Sequence, residues 1–251
     1  MLSQVTIGIK TFLRDQKLFN TIDAIRRTLP ECKMIIADDG WMSTTKLELY
    51  AKLEKEGHTV IIEDFDVGFG TKSNDIAASL KTNYLLIGSD DFDFNPPEVR
   101  KGIEKLHDVL YSNLRLDIAS GRVKNRPYEF FLTCYNGEVV EEPVIVYEHA
   151  PTDVDLTVNY SLIRKNVFTK VRWDDDVKIG GGEHGAFFYD CARAGVKTVF
   201  VPGVNINEQE GRDSDAYRLY RNRALSKERP CFVRRGITKY VLGTGEVDYQ
   251  V

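Results

Sequence analysis

The chain has 251 residues, of which 42% are hydrophobic, with 34 Lys/Arg against 38 Asp/Glu; that is enough apolar content for the core of one α/β domain. The formal net charge of −4 excludes a generally cationic nucleic-acid binder, while leaving room for a basic region at one end. Cys32, Cys134, Cys191 and Cys231 are separated by 102, 57 and 40 positions, which excludes a zinc site seeded by a CxxC pair and points to a reduced, cytoplasmic protein.

In chain order, VTIGI (residues 5–9) is predicted to be a strand. Leu18, Ile22, Ile25 and Leu29 then recur at helical spacing before Pro30. KMIIA (33–37) reads as a second strand ending in Asp38 and Asp39, followed by a helix carrying Leu47, Tyr50, Ala51 and Leu53 that stops at Gly57. Thr59 to Ile62 is a third strand. The glycine-bearing stretch DVGFGTKSN (66–74) opens a short helix through Ile76, Ala77 and Leu80, and NYLLIGSDDFDF (83–94) is an apolar strand that ends in Asp90, Asp91 and Asp93. Strand and helix alternate four times, as in a mostly parallel sheet with helices on its faces and ligands beyond its carboxyl edge.

After Pro96-Pro97 a helix is expected from about Glu98 to Tyr111, and then short β-rich runs (FFLTCYN, VVEEPVIVY, VDLTVNYSLI) that read as antiparallel. Residues 1–9 do not resemble a secretory leader. No apolar run reaches the roughly 18 residues of a membrane span. Arg212 to Lys239 holds nine Lys/Arg and three acids, a surplus of six, which leaves the remainder at −10.

Three acid-ended strands invite a hard cation, because carboxylate oxygens on a rigid strand end suit Mg²⁺ or Mn²⁺ with positions left for phosphate oxygens. The alternative is a solvated acidic turn. In WDDDVKIGGGEHGAFF (173–188), Gly180 to Gly182 place Glu183 and His184 at a helix start, where either can take a proton and where an acid is also ordinary capping.

Taken together, VTIGIKTFLR, IIADDG, DVGFGTKSN, LLIGSDDFDF and WDDDVKIGGGEH, in that order across residues 5–205, resemble a family 2-type glycosyltransferase of the GT-A fold. The resemblance implies a Rossmann-like, mixed but mostly parallel sheet flanked by helices. It divides the chain into a glycosyltransferase domain over 1–210, with a nucleotide-binding half (about 1–95) and an acceptor-side half (about 96–210), and a basic C-terminal extension over 211–251. It further implies a nucleotide-diphosphate sugar donor, a UDP-sugar foremost. Thr11, Asp38, Asp39, Gly68, Lys72 and Asn74 would lie along the nucleotide. Asp90 would be shared between nucleotide and metal, Asp91 would be the principal ligand of Mn²⁺ or Mg²⁺, and Asp93 would share in it. Two departures stand out: Ser89 replaces the first aspartate of the metal motif, and VPGVNINEQE carries no histidine to complete the metal shell, so that Asn207 or Glu208 would supply an oxygen instead.

The mechanism implied is inverting, with Glu183 or His184 as the base that deprotonates an acceptor hydroxyl. Trp173 would stack on a sugar, or pack in the core. Arg218 and Arg221, interleaved with Tyr217 and Tyr220, would contact a phosphate-bearing partner, or form a solvated helix face. The acceptor is then a surface glycan or a hydroxymethylated base in DNA, the latter needing a flipped nucleotide. Two other classes compete. A catalytically degenerate binding protein would account for Ser89 and the missing histidine. A sugar-phosphate nucleotidyltransferase would need a glycine-rich basic loop where the chain reads IKTFLRDQK.

Overall fold

In the computed structural model, residues 1–158, 160–178, 182–224 and 229–251 are described, residues 222–224 by backbone alone. Every residue of strand β1 (Val5–Thr11) is buried, as a central strand covered on both faces requires. Helix α1 (Asp15–Thr28) follows, burying Leu18, Ile22 and Ile25 along one stripe. Then come β2 (Lys33–Asp38), α2 (Thr44–Lys55), β3 (Thr59–Ile62), α3 (Phe69–Ala78) and β4 (Tyr84–Ser89). Strand β1 pairs in parallel with β2 on one side and β4 on the other, and β2 pairs in parallel with β3. This half matches the expected alternation, and Ser43 caps α2 by accepting from the Lys46 amide.

Beyond it lie the short strand β5 (Phe92–Asp93), α4 (Pro97–Ser112), β6 (Ile118–Val123), β7 (Phe130–Tyr135), β8 (Glu138–Pro143), β9 (Thr152–Val154) and β10 (Ser161–Arg164). The C-terminal part adds α5 (Glu183–Arg193), β11 (Thr198–Glu208), α6 (Asp215–Ala224), α7 (Pro230–Val233), β12 (Lys239–Val241) and β13 (Val247–Gln250). The main sheet runs β3-β2-β1-β4-β10-β6-β11-β5, with β9 also on β11. Strand β10 is antiparallel to both β4 and β6, and β6 is parallel to β11. Strand β6, IASGRV, gave no apolar signal in the sequence. Its small residues are needed there: Ser120 and Ser161 hydrogen-bond across the pair at 2.5 Å, and a Cβ on Gly121 would lie 2.7 Å from Val204.

Helices α1, α2 and α4 pack one face of the sheet through Leu18, Ile22, Leu53, Ile103 and Leu106. On the other face α3 and α5 contribute Ile76, Phe187, Phe188 and Cys191, together with Trp173. A second sheet, β13-β12-β8-β7, is seeded by the β7–β8 hairpin, whose Asn136-Gly137 turn has both φ positive (48° and 82°).

The segment after residue 210 is woven into this body. Strand β12 pairs with β8, and Phe232, Tyr240 and Tyr249 form a core cluster with Val177, Ala186 and Tyr189 from before residue 210. Phe232 and Tyr240 stack at 4.6 Å. Among the described residues no helix is long and apolar enough to cross a membrane.

Candidate active site

A cavity of about 510 Å³ opens beyond the carboxyl ends of β1 and β4, the position expected for a ligand in such a sheet. One wall comes from β1 and the residues after it: Lys10, Thr11, Phe12 and Arg14. Helix α3 adds Phe69 and Lys72, and the end of β4 adds Ser89 and Asp91. Glu183 and His184 enter from the start of α5, Glu208 from β11, and Tyr217 and Arg221 from α6. Of the predicted site residues, Thr11, Lys72, Asp91, Glu183, His184 and Arg221 meet here.

The aspartates at the end of β4 diverge. Asp90 is fully buried behind the cavity; Thr11 donates to its Oδ2 at 2.8 Å, and the Arg14 guanidinium grips both of its oxygens. Asp91 faces the cavity, where its Oδ2 accepts from Arg14 Nη1 at 2.7 Å and its Oδ1 accepts from Ser89 at 2.5 Å. Burial pushes the Asp91 carboxyl up, but Arg14, Ser89 and Lys17 outweigh it and hold the group below its usual range. Asp93 lies outside the cavity, with Oδ1 accepting from the Asn95 amide at 3.0 Å. Asn207 pairs with Asp93 across β5 and β11 and is exposed. Strand alternation sends the next side chain, Glu208, inward to pair with Lys124. Of the two metal-motif aspartates Asp91 and Asp93 only Asp91 lines the cavity, and of Asn207 and Glu208 only Glu208 does.

A divalent ion needs oxygen lone pairs that are open. Each oxygen of Asp91 accepts one hydrogen bond, which leaves a lone pair on each; Asp90 is turned away, and no cluster of three metal-ligating side chains occurs among the described residues. As arranged, the Arg14 guanidinium occupies the place on Asp91 that a divalent ion would take.

The acids at the end of β2 are structural. Asp38 is inaccessible and accepts from Tyr50, from the Gly40 amide at 2.8 Å and from Lys46, whose Nζ lies 2.8 Å away. Asp39 accepts from the Gly68 amide at 3.0 Å and from Lys72. Both backbone and side-chain donors expected to meet a nucleotide at Gly68 and Lys72 are thus turned toward Asp39, although Lys72 also lines the cavity and donates to the Thr11 carbonyl at 2.9 Å. Asn74 points away: its amide donates to the Trp173 carbonyl at 2.9 Å and to Asp175 at 2.7 Å, and its oxygen accepts from the Trp173 amide. It fastens the acceptor-side loop to α3.

Trp173 is buried and stacks on Phe187 at 4.2 Å and 5°. The face that would meet a sugar is taken by that ring, so the core-packing alternative holds. Gly180 and Gly181 lie outside the described residues. Gly182 precedes α5 with φ +84°, where a Cβ would lie 3.1 Å from Phe232, so this position accepts only glycine without strain. The helix start it permits puts Glu183 and His184 on the cavity. Among the described residues Glu183 has no hydrogen-bond or ion-pair partner. Burial lowers the His184 imidazole below its ordinary range, with Glu183 opposing and Lys10 adding to the effect.

The basic tail is largely neutralised inside the fold. Arg234 and Arg235 clamp Asp174, with Asp176 and Asp190 as further partners. Arg229 pairs with Asp248 at 2.9 Å, Lys239 with Glu138 at 2.6 Å, and Arg218 with the exposed Asp215. Arg221 alone of the two predicted contacts reaches the cavity. The side chain of Arg223 and all of Lys227 lie outside the described residues.

Sequence reasoning passed over Lys10 and Arg14, which flank Thr11 within the quoted VTIGIKTFLR. Burial, with Lys72 beside it, lowers Lys10 to about 7, against the upward pull of Asp90, Glu183 and Asp91. Lys10 therefore sits in the field of both the β4 acids and the α5 acid. The signal available was a lysine and an arginine on either side of Thr11, a residue already expected to lie along the nucleotide.

This sheet order, with a cavity at its carboxyl edge, is that of the GT-A fold, and the known proteins to which the chain is similar are glycosyltransferases of the family 2 type. Sequence comparison narrows the relationship. The chain is 31% identical over 216 residues to β-1,4 N-acetylgalactosaminyltransferase 2 of Mus musculus, covering 82% of this chain and 39% of that protein. It is 34% identical over 139 residues to β-1,4 N-acetylgalactosaminyltransferase 1 of Homo sapiens, covering 55% and 24%. The chain thus spans well under half the length of these relatives. Among solved structures, S. aureus TarS superposes with a TM-score of 0.59 at 13% identity, covering 82% of this chain and 60% of that one. GalNAc-T7 with UDP, GalNAc and Mn²⁺ gives 0.59 at 14% identity, covering 82% and 44%. These two establish the fold. No protein-family model matches the chain.

Proposed function

We propose that this chain transfers a sugar from a uridine-diphosphate donor to a hydroxyl of a glycan, with inversion at the anomeric carbon. N-acetylgalactosamine is the sugar to try first, because the sequence relatives are named for its transfer. One observation carries the reading: the cavity brings three basic side chains, Lys10, Lys72 and Arg14, together with a carboxylate, Glu183, that has no hydrogen-bond or ion-pair partner among the described residues. The first suits a diphosphate that gains charge as it leaves, and the second suits a hydroxyl that must lose a proton.

The step is a single displacement. The acceptor oxygen bonds to the anomeric carbon as the carbon–oxygen bond to the β-phosphate breaks. The electron pair of that bond stays on the phosphate, and the acceptor proton passes to Glu183 or to the neutral imidazole of His184. An α-linked nucleotide sugar then yields a β linkage, in keeping with the β-1,4 bond in the relatives' names. Phe12, on the cavity wall, continues outward through Phe65 at 5.5 Å to Trp41, an aromatic surface suited to a nucleobase.

The metal-dependent version expected from the sequence would hold Mn²⁺ or Mg²⁺ at Asp91, with Glu208 across the cavity. It draws support from the Mn²⁺ in the GalNAc-T7 structure, and it requires Arg14 to leave first. A DNA acceptor draws less support than a glycan, since the relatives are named for sugar transfer and Arg229, Arg234 and Arg235 of the basic tail are paired with acids of the chain. The reading keeps the reducing, cytoplasmic setting expected from the cysteine spacing.

The test is incubation of the protein with UDP-N-acetylgalactosamine and a panel of glycans, following UDP release and the anomeric signal of the product by NMR. A β-configured product confirms the reading. A retained configuration sinks the inverting mechanism. Neither transfer nor hydrolysis with any UDP-sugar would leave the degenerate binding protein as the better account.

A further inference from the structure

The Arg14 guanidinium has five N–H donors, and three of them are directed at Asp90 and Asp91. Two remain, one on each terminal nitrogen, in a side chain that lines the cavity. The group is held from behind as well. Its Cζ lies 4.4 Å from the centre of the Tyr217 ring, and Asp213, 3.8 Å from Nη1, is itself paired with Lys17 at 2.9 Å. Tyr217 is buried, and the chain before α6 is tied down where Gln209 donates through its amide to the Asp91 carbonyl at 2.6 Å. Asp90, Asp91, Asp213 and Tyr217 thus form a socket for one cation, supplied by the chain itself.

We propose that Arg14 is the resident cation of the donor site: its guanidinium, seated on Asp90 and Asp91, binds the diphosphate of the nucleotide sugar and neutralises it as it leaves, without a divalent ion. This rests on the donor reading above and adds to it the identity of the cation. A planar fork with one donor left on each arm matches two phosphate oxygens. Lys10 and Lys72 line the same wall. Ser89, which replaces a metal-motif aspartate, then has a purpose: it donates to Asp91 and orients that carboxylate toward Arg14. The step balances as written above, with the departing oxygen taking the bond's electron pair and Arg14 carrying no proton away.

The experiment measures UDP binding, by thermal shift and calorimetry, in EDTA and in Mn²⁺. Arg14→Met strands the buried Asp90, so the variants to use are Arg14→Lys and the double Arg14→Met/Asp90→Asn, which removes the buried charge with its partner. Wild type is expected to bind UDP equally in both buffers. Arg14→Lys keeps a charge but loses the fork, and should bind at least about tenfold more weakly in EDTA. The double variant should show a cooperative melt and no UDP-dependent shift in EDTA. Binding by wild type that appears only with Mn²⁺, or variants that match wild type in EDTA, would overturn the assignment of Arg14 and leave the donor reading intact. No UDP binding in either buffer would remove the donor reading, and this inference with it.

Discussion

Lys46 Nζ lies 2.8 Å from Asp38 Oδ2, and neither side chain is accessible to solvent. The same ammonium reaches Asp15 at 2.7 Å and the Trp41 carbonyl at 3.1 Å, so α2 is bolted to the tip of β2 and the start of α1. An aspartate that the motif resemblance would set along the nucleotide is here the anchor of the sheet edge. Lys46→Met is expected to cost about 3–5 kcal/mol, the usual penalty for stranding one partner of a buried pair. Lys46→Met/Asp38→Asn should recover much of it. Urea unfolding of the two variants measures this, and a single variant as stable as wild type would show that Asp38 is solvated.

Trp173 packs between Phe187 and Phe168, with ring centres at 4.2 Å and 5.6 Å. Trp173→Ala should destabilise by about 3–5 kcal/mol, while Trp173→Phe, which keeps a stacked ring, should lose less. Below its melting temperature Trp173→Phe is expected to keep the wild-type KM for acceptor. A raised acceptor KM with unchanged stability would restore the sugar-stacking role.

Lys10, lowered to about 7, loses its proton across the neutral range in the donor-free protein. A bound diphosphate favours the charged form, so binding above pH about 7 takes up a proton. Affinity for UDP-N-acetylgalactosamine should be highest and flat below that pH. It should fall as pH rises through it, until the bound state also deprotonates. Calorimetry in buffers of differing ionisation enthalpy reports the proton directly, and Lys10→Met should abolish both the uptake and the slope. Affinity that increases with pH would contradict the placement of Lys10 on the diphosphate.

Glu183 and His184 separate by their kinetics. If Glu183 is the base, Glu183→Gln should lower kcat by about 10²–10⁴ with UDP binding unchanged, while His184→Asn changes kcat modestly. The reverse pattern assigns the proton to His184. Its lowered pKa then predicts that activity persists on the acid side, falling only as pH drops through that lowered value. Equal and small effects from both would place the base elsewhere in the cavity.

The sequence was most legible where side-chain patterning is local. From β1 to β4, and again at α4, the alternation of apolar runs with helical stripes marked each element to within a few residues, because burial against one sheet imposes a period on each segment separately; β5 was read as the end of β4. Strand β6 escaped because Ser120 and Gly121 are buried by shape and by a partner 41 residues away, and neither leaves an apolar trace. The same division runs through the site. The acids at strand tips, the glycine before α5 and the Glu183-His184 pair could be singled out from neighbouring residues alone. What each acid does was settled by charges far along the chain: Arg14 for Asp90, 76 positions away, Arg234 for Asp174, 60 away, and Lys72 for Asp39, 33 away. A carboxylate looks the same in a sequence whether it awaits a ligand or already has a partner. Only folding brings the cation to it, because electrostatic pairing depends on distance in space and carries no periodicity along the chain.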